Sequence, residues 1–371
     1  MTKYNPANER IKRQYFAFLK EAKRHSEPTV DAVAKALSRF ESYTGYRDFK
    51  TFNHHQAVNF KNHLTEQRGR QSGEKLSKAT MHATLNCLKH FFQWLAWIPG
   101  YKSRIQCADA EYFNLSDKDT RIATAKRQQE FPTIEQVKHV INSMTTNTEI
   151  EQRNRALVAF TLLTGARDSA IASIKLKHVD LVAGCVNQDA RDVNTKFSKT
   201  FSTFFFPVGE EIRTIVEEWV SYLRVKKLWG NEDPLFPATC VKLDENQQFQ
   251  AVGLSRKHWS NATPIRKIFH DAFECIGLPY FNPHSFRNTI VQLGEEVCKT
   301  PEQFKAWSQN LGHEKVLTTF ISYGVVPCQR QGNIIRDLAM PQSPPPTNAD
   351  EIAEAVCRRI YASGMGINEK R

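Results

Sequence analysis

Apolar residues recur at helical spacing through the first quarter of the chain. Ile11, Tyr15 and Leu19 fall every fourth position, and Val30, Val33, Leu37 and Phe40 alternate steps of three and four. Ala57, Phe60 and Leu64 repeat the pattern, as do Met81, Leu85, Leu88, Phe92 and Leu95. Each set lines one side of a helix. Four amphipathic helices over residues 7–97, joined by short polar connections, predict a small bundle. Phe40, Phe60 and Phe92 lie in these stripes and are expected in its core, not on a surface that stacks on bases.

Polarity rises from Asn114 to Glu130, which predicts a linker. Thr133 then opens a helix, with Gln136 as its capping-box partner and Val137, Val140 and Ile141 as its buried stripe. Residues 151–163 read as a helix ended by Gly165. Apolar runs near Val179–Val186, Val193–Lys199 and Thr203–Val208 predict a small antiparallel sheet, most strand-like at Phe204-Phe205-Phe206. Helices are expected over 210–228 and 264–276, and near 284–298 and 301–311. Pro344-Pro345-Pro346 mark a spacer over 341–348, and Ile352, Val356 and Ile360 predict a short closing helix. The fold class is therefore mostly α with a small antiparallel sheet (α+β). The expected domains are a helical basic unit over 1–113, a linker over 114–130, a second domain over 131–340, and a Pro-rich spacer with a C-terminal helix over 341–371.

Charge changes this picture. The 371 residues carry 51 Lys+Arg against 39 Asp+Glu, a net of +12. Residues 1–130 hold 23 and 13 of these, a net of +10, so the remainder carries only +2. A basic module beside a near-neutral one suits a polyanion-gripping arm joined to a second unit. With 16 Gly and 16 Pro the chain is neither collagen-like nor low-complexity. No run reaches the ~18 apolar residues of a membrane helix, and Met1–Pro6 lacks the apolar core of a signal peptide. A cytoplasmic location is expected. The eight Cys form no Cys-x-x-Cys pair and read as reduced thiols, not as zinc ligands or a disulfide framework. His54, His55 and His270 lack partners at metal spacing and read as surface residues.

Four segments of the second domain stand out: Thr164-Gly165-Ala166-Arg167, His284-Ser285-Phe286-Arg287, Leu311-Gly312-His313, and Thr318-Thr319-Phe320-Ile321-Ser322-Tyr323. His284 and Arg287, three apart, share a helix face, and Pro283 puts His284 near that helix's start. Gly312 can end a helix and fix His313 just beyond it. Arg167 follows another Gly-marked helix end. Cationic or proton-carrying groups gathered at helix termini are suited to surround a phosphate.

This order of residues resembles the tyrosine recombinases, the phage-integrase family. Residues about 131–340 resemble its catalytic domain, and about 7–110 look like its helical core-binding domain. The resemblance implies that Arg167 and Arg287 hold a scissile DNA phosphate, and that Tyr323 is the nucleophile of a covalent 3′-phosphotyrosine. A phenol of pKa ~10 needs help to attack near neutrality, which His284 and His313 can give, since imidazole titrates near ~6.5. A hairpin Lys then protonates the leaving 5′ oxygen. Lys199 stands eight residues before Pro207, like the family's lysine, with Lys196 as the second choice. No metal, cofactor or ATP is implied.

Two departures stand against the family pattern. Ala170 occupies a place often acidic, with Asp168 adjacent but expected to point elsewhere, and His313 to Tyr323 is one residue longer than the commonest spacing. The implied partners are double-stranded DNA and a homotetramer on paired sites, with accessory DNA-bending proteins and no membrane. The implied location is on the nucleoid. Ile334, Ile335 and Leu338 are candidates for docking on a neighbouring protomer. The alternatives are a type IB topoisomerase, which works alone at many sites, and a non-catalytic DNA-binding protein on the same fold.

Overall fold

The computed structural model describes residues 4–68, 73–125, 130–244 and 247–313, and within them the predicted helices are present; the spacer over 341–348 and the closing helix on Ile352, Val356 and Ile360 lie outside the described residues. The chain divides into two units, Met1–Arg127 and Gln128–Arg371.

In the first unit, α1 (Pro6–Ala17), α2 (Glu27–Thr44), α3 (His54–Glu66) and α4 (Lys78–Leu95) bury the expected stripes. Phe40 stands at the centre, with the rings of Phe52, Phe60, Phe92 and Phe113 about 5–6 Å away, mostly edge to face. Phe40, Phe60 and Phe92 are core residues, as the pattern predicts. The stretch read as a linker contains a further helix, α5 (Asp117–Thr124). Ser116 caps it, and Lys78 on α4 pairs with Asp119 at 3.0 Å. Its capping and charge pairing outweigh the absence of an apolar stripe, which is why periodicity did not reveal it.

The second unit is built around α7 (Glu149–Thr164), whose residues from Ala156 to Thr164 are all buried. A helix apolar on every side belongs inside a domain. Before it, α6 (Ile134–Ser143) starts with the predicted capping box: Gln136 N–H donates to Thr133 Oγ1 at 3.2 Å, and Thr133 N–H donates to Gln136 Oε1 at 2.9 Å. After it come α8 (Asp168–Ile171) and a three-stranded antiparallel sheet, β1 (Val179–Asp180), β2 (Cys185–Gln188) and β3 (Phe201–Phe204) in that order. Cys185 pairs with Phe204 and Gln188 with Phe201. The run Val193–Lys199 is not a strand. It is the β2–β3 connection, with a 3-10 turn at Lys196–Ser198 and left-handed backbone at Phe197 and Ser198.

Next are α9 (Glu210–Ser221), a hairpin of β4 (Thr239–Leu243) and β5 (Phe249–Leu254), α10 (Thr263–Glu274), α11 (Ser285–Val297) and α12 (Pro301–Asn310). The hairpin was not foreseen. A register shift between Cys240 and Val241 breaks its alternation, and Lys242, Gln247, Gln248 and Gln250 make it polar. It is held at its base from α7. Arg153, 3% exposed, donates to Pro237 O and Thr239 Oγ1 and lies over the Trp259 ring, while Glu149 accepts from the Leu254 N–H.

Candidate active site

Gly165 ends α7 with φ 60°, and its N–H donates to Thr161 O. A Cβ there would stand 2.9 Å from Leu311 Cδ2 and 3.1 Å from Ile290 Cδ1, so both conformation and space call for glycine. The chain then turns through Ala166 to Arg167, the N-cap of α8, whose side chain is half-buried. Burial pushes the Arg167 pKa down.

Arg287 enters from the first turn of α11. It is 5% exposed, and donates through Nη1 to Gly165 O at 2.6 Å and through Nη2 to Leu311 O at 2.5 Å. Two helix-end carbonyls, left free because helices end there, thus fix the guanidinium. Its Nη2 also lies 3.0 Å from His313 Nε2. The Arg287 guanidinium can only donate, so His313 accepts through Nε2 and is neutral in this arrangement. Burial, then the Arg167 charge, push the Arg287 pKa down to about 9, which leaves it charged at neutrality.

His313 follows Gly312, which has φ 70° and terminates the turn after α12 by donating to Gln309 O. Burial first, then the charges of Arg287, Arg167, His284 and Lys196, push its pKa down to about 4. His284 is the N-cap of α11, directly after Pro283, as expected. The residue as a whole is exposed, but its ring is partly withdrawn from solvent, which disfavours the charged form. That burial and the charges of Arg287, Arg167 and Lys196 lower its pKa, and Asp168 opposes them. Both imidazoles are therefore held neutral. An anion placed among these groups would raise them again.

Arg167, His284, Arg287 and His313 thus share one neighbourhood, each set by a helix end. Lys196 and Lys199 lie on the β2–β3 connection, and the charge of Lys196 reaches both histidines. Tyr323 lies outside the described residues, as do Thr318, Thr319, Ile334, Ile335 and Leu338.

Asp168 is turned to a partner far along the chain. It pairs with Arg266 of α10 at 2.8 Å, and its charge is felt by His284. It stands at the start of the four-residue α8. Ala170 is buried at 1% exposure. Other site features left no local signal. Ser169 Oγ donates to Asn194 O at 3.2 Å, and Asn194 N–H donates to Ser173 Oγ at 2.8 Å. These bonds tie the lysine-bearing connection to α8, beside Arg167.

The chain matches the phage integrase family over residues 131–324, and the phage integrase N-terminal SAM-like domain over residues 13–98. Tyrosine recombinase XerC of Lactobacillus delbrueckii subsp. bulgaricus is 24% identical over 316 residues, covering 84% of this chain and 92% of that protein. Among solved structures, a lambda integrase dimer bound to a COC′ core site is similar with TM-score 0.57 and 12% identity, covering 85% of this chain and 94% of that one. The XerH site-specific recombinase bound to palindromic difH substrate is similar with TM-score 0.57 and 16% identity, covering 87% and 84%. These likenesses show the fold. The match over more than half the chain, on the segment that gathers these arginines and histidines, settles the class: the chain belongs to the phage integrase family and is a tyrosine-type site-specific recombinase.

Proposed function

We propose that the enzyme cuts and rejoins double-stranded DNA through a covalent 3′-phosphotyrosine on Tyr323. Arg167 and Arg287 hold the non-bridging oxygens of the scissile phosphate and stabilise the charge that builds as it is attacked. The Tyr323 oxygen bonds to phosphorus as the bond to the 5′ oxygen breaks. A neutral imidazole, His284 or His313, takes the phenol proton, and Lys199 gives a proton to the departing 5′ oxygen. Reversal joins a new 5′ hydroxyl to the same phosphate. The bond energy stays in the phosphotyrosine, so the cycle calls for neither ATP nor a metal.

One observation carries this reading. Arg287 is buried against neutral carbonyls and a neutral histidine, with Arg167 close enough to depress its pKa. Buried charge normally has a counter-charge; a phosphodiester supplies it here. The net of +10 over residues 1–130 supports the first unit as a second grip on the duplex. Similar solved structures include a Tn1549 transposon integrase in complex with transposon right end DNA and a lambda integrase dimer bound to a core site. A homotetramer on paired sites, near the nucleoid and with two protomers active at a time, fits strand exchange by this chemistry. On this reading residues 1–113 are the core-binding domain, 114–130 a linker, 131–340 the catalytic domain and 341–371 a Pro-rich spacer with a C-terminal helix. Among the described residues no helix is long and apolar enough to cross a membrane.

The test uses nicked suicide duplexes with a randomised core, from which a cleaved fragment diffuses away. The wild-type protein is expected to form a denaturation-resistant adduct, and sequencing it gives the core site. Tyr323→Phe should bind that core duplex with similar affinity and form no adduct. Equal trapping by Tyr323→Phe contradicts the reading.

A further inference from the structure

We infer that Phe197 is a positioning residue for the lysine that protonates the leaving 5′ oxygen, an inference that rests on the function proposed above. Phe197 sits at the tip of the β2–β3 connection and is 77% exposed. An isolated exposed apolar side chain needs no explanation by itself. Its backbone does. Phe197 and Ser198 both have positive φ, 61° and 50°, and neither is glycine. Such residues are uncommon, and persist where their surroundings over-determine them.

The surroundings do so here. Asp192 at the base of the connection accepts from Lys175 at 3.1 Å and from Lys177 at 2.7 Å. Ala190 N–H donates to Thr200 Oγ1 at 3.0 Å, closing the loop across its neck. Asn194 is bonded to Ser169 and Ser173 at both its N–H and its C=O. The base is thus fixed to the helix that Arg167 caps.

At this left-handed turn the aromatic ring lies within reach of both lysines. The ammonium of Lys196 lies 5.0 Å from the ring centroid and that of Lys199 lies 5.6 Å from it. Both distances fall within the range where a ring face attracts a cation. An aliphatic side chain of similar size would fill the same space without that attraction. The ring thus limits where two long, flexible ammonium chains spend their time. It holds them at the tip of a loop whose base is tied beside the phosphate-binding arginine.

The experiment compares single-turnover cleavage of two versions of the core duplex recovered by trapping. One has the natural 5′ oxygen at the scissile bond; the other has sulfur there, and a thiolate leaves without a proton donor. Phe197→Asn removes the ring but tolerates the left-handed turn, Phe197→Leu is a second ring-less variant, and Phe197→Tyr keeps the ring. Both ring-less variants are expected to cleave the oxygen duplex about two- to fivefold more slowly than wild type. They should match wild type on the sulfur duplex, with duplex affinity unchanged, and Phe197→Tyr should restore the oxygen rate.

Equal losses on both duplexes overturn the inference, because Phe197 then acts on folding or DNA contact. Undiminished cleavage of the oxygen duplex by both ring-less variants also overturns it. Lys199→Ala and Lys196→Ala separate this result from failure of the parent reading. If sulfur rescues neither, no loop lysine is the proton donor and the inference falls with that role. If the wild type traps no duplex at all, the phosphotyrosine reading fails and takes this one with it.

Discussion

Lys12 in the first unit, partly buried, and Arg287 in the second, buried, find their partners in opposite ways. In the first unit Lys12 reaches Glu41 at 2.6 Å, and Glu41 also accepts from Asn8, which is itself fully buried. Asn8 donates to Arg47 O and accepts from the Phe49 N–H. Burial alone would lower the Lys12 pKa, but the carboxylates of Glu41 and Glu9 outweigh it and raise it. In the second unit Arg287 is more deeply buried, and its hydrogen-bond partners are two carbonyls and an imidazole. Burial and the neighbouring Arg167 lower its pKa, and cationic neighbours also lower those of His284 and His313. The first arrangement is complete in itself and holds a fold together. The second has no carboxylate among its hydrogen-bond partners, and on the proposed reading the substrate phosphate completes it.

The largest effect expected from breaking this contrast is on chemistry. Arg287→Met should slow single-turnover cleavage at least ~100-fold, the usual loss when one transition-state donor is removed. Its denaturant midpoint should move less than that of Glu41→Ala, because an apolar replacement also removes a like-charge neighbour of Arg167. Glu41→Ala should lower the stability of the first unit by about 1.5–3 kcal/mol, read from urea unfolding. Cleavage by folded Glu41→Ala protein should be unchanged. If Arg287→Met proved the more unstable of the two, the contrast would be wrong.

Gly165→Ala sharpens it further. The alanine meets Leu311 and Ile290 at a positive φ, and the expected cost is about 1–2 kcal/mol of stability. Cleavage should fall as well, since the same residue carries the carbonyl that anchors Arg287.

The smallest expected effect is with pH. His313 has its folded pKa lowered to about 4 from an ordinary 6.5. Above about 6.5 the folded and unfolded forms are both neutral, and nothing is lost. As pH falls from 6.5 toward 4 the unfolded chain takes up a proton that the folded site resists, so stability declines across that window. His284 adds to the decline in the same direction. Melting curves of the DNA-free protein between pH 7 and 4 should show the fall, less in His313→Asn. Bound core duplex should shrink it, because phosphate raises both imidazoles. A fall of equal size in His313→Asn would remove His313 as its source.

Much of the site was legible because its residues stand at helix ends with clear local marks. Gly165, Pro283 and Gly312 announce the turns that deliver Arg167, His284 and His313. The four stripes of the first unit were legible for the same reason, since helical periodicity is local. What was not legible depends on distance along the chain. Asp168 finds Arg266 ninety-eight positions away, and Asn8 finds Glu41 thirty-three away. Neither pairing leaves a pattern in either neighbourhood. The run Val193–Lys199 is strand-like by composition, but Asn194 is bonded to Ser169 and Ser173 and Asp192 to Lys175 and Lys177, and the chain turns left-handed at Phe197 and Ser198. Tertiary contacts overrode propensity there.

The central claim is that a DNA phosphate completes the cationic cage while bonded to Tyr323. The most direct test is a crystal structure of the covalent complex trapped on the suicide duplex. The account predicts phosphorus joined to the Tyr323 oxygen, with Arg167 and Arg287 donating to its two non-bridging oxygens. A covalent phosphate on another residue, or one that leaves Arg287 bonded only to Gly165, Leu311 and His313, would contradict it.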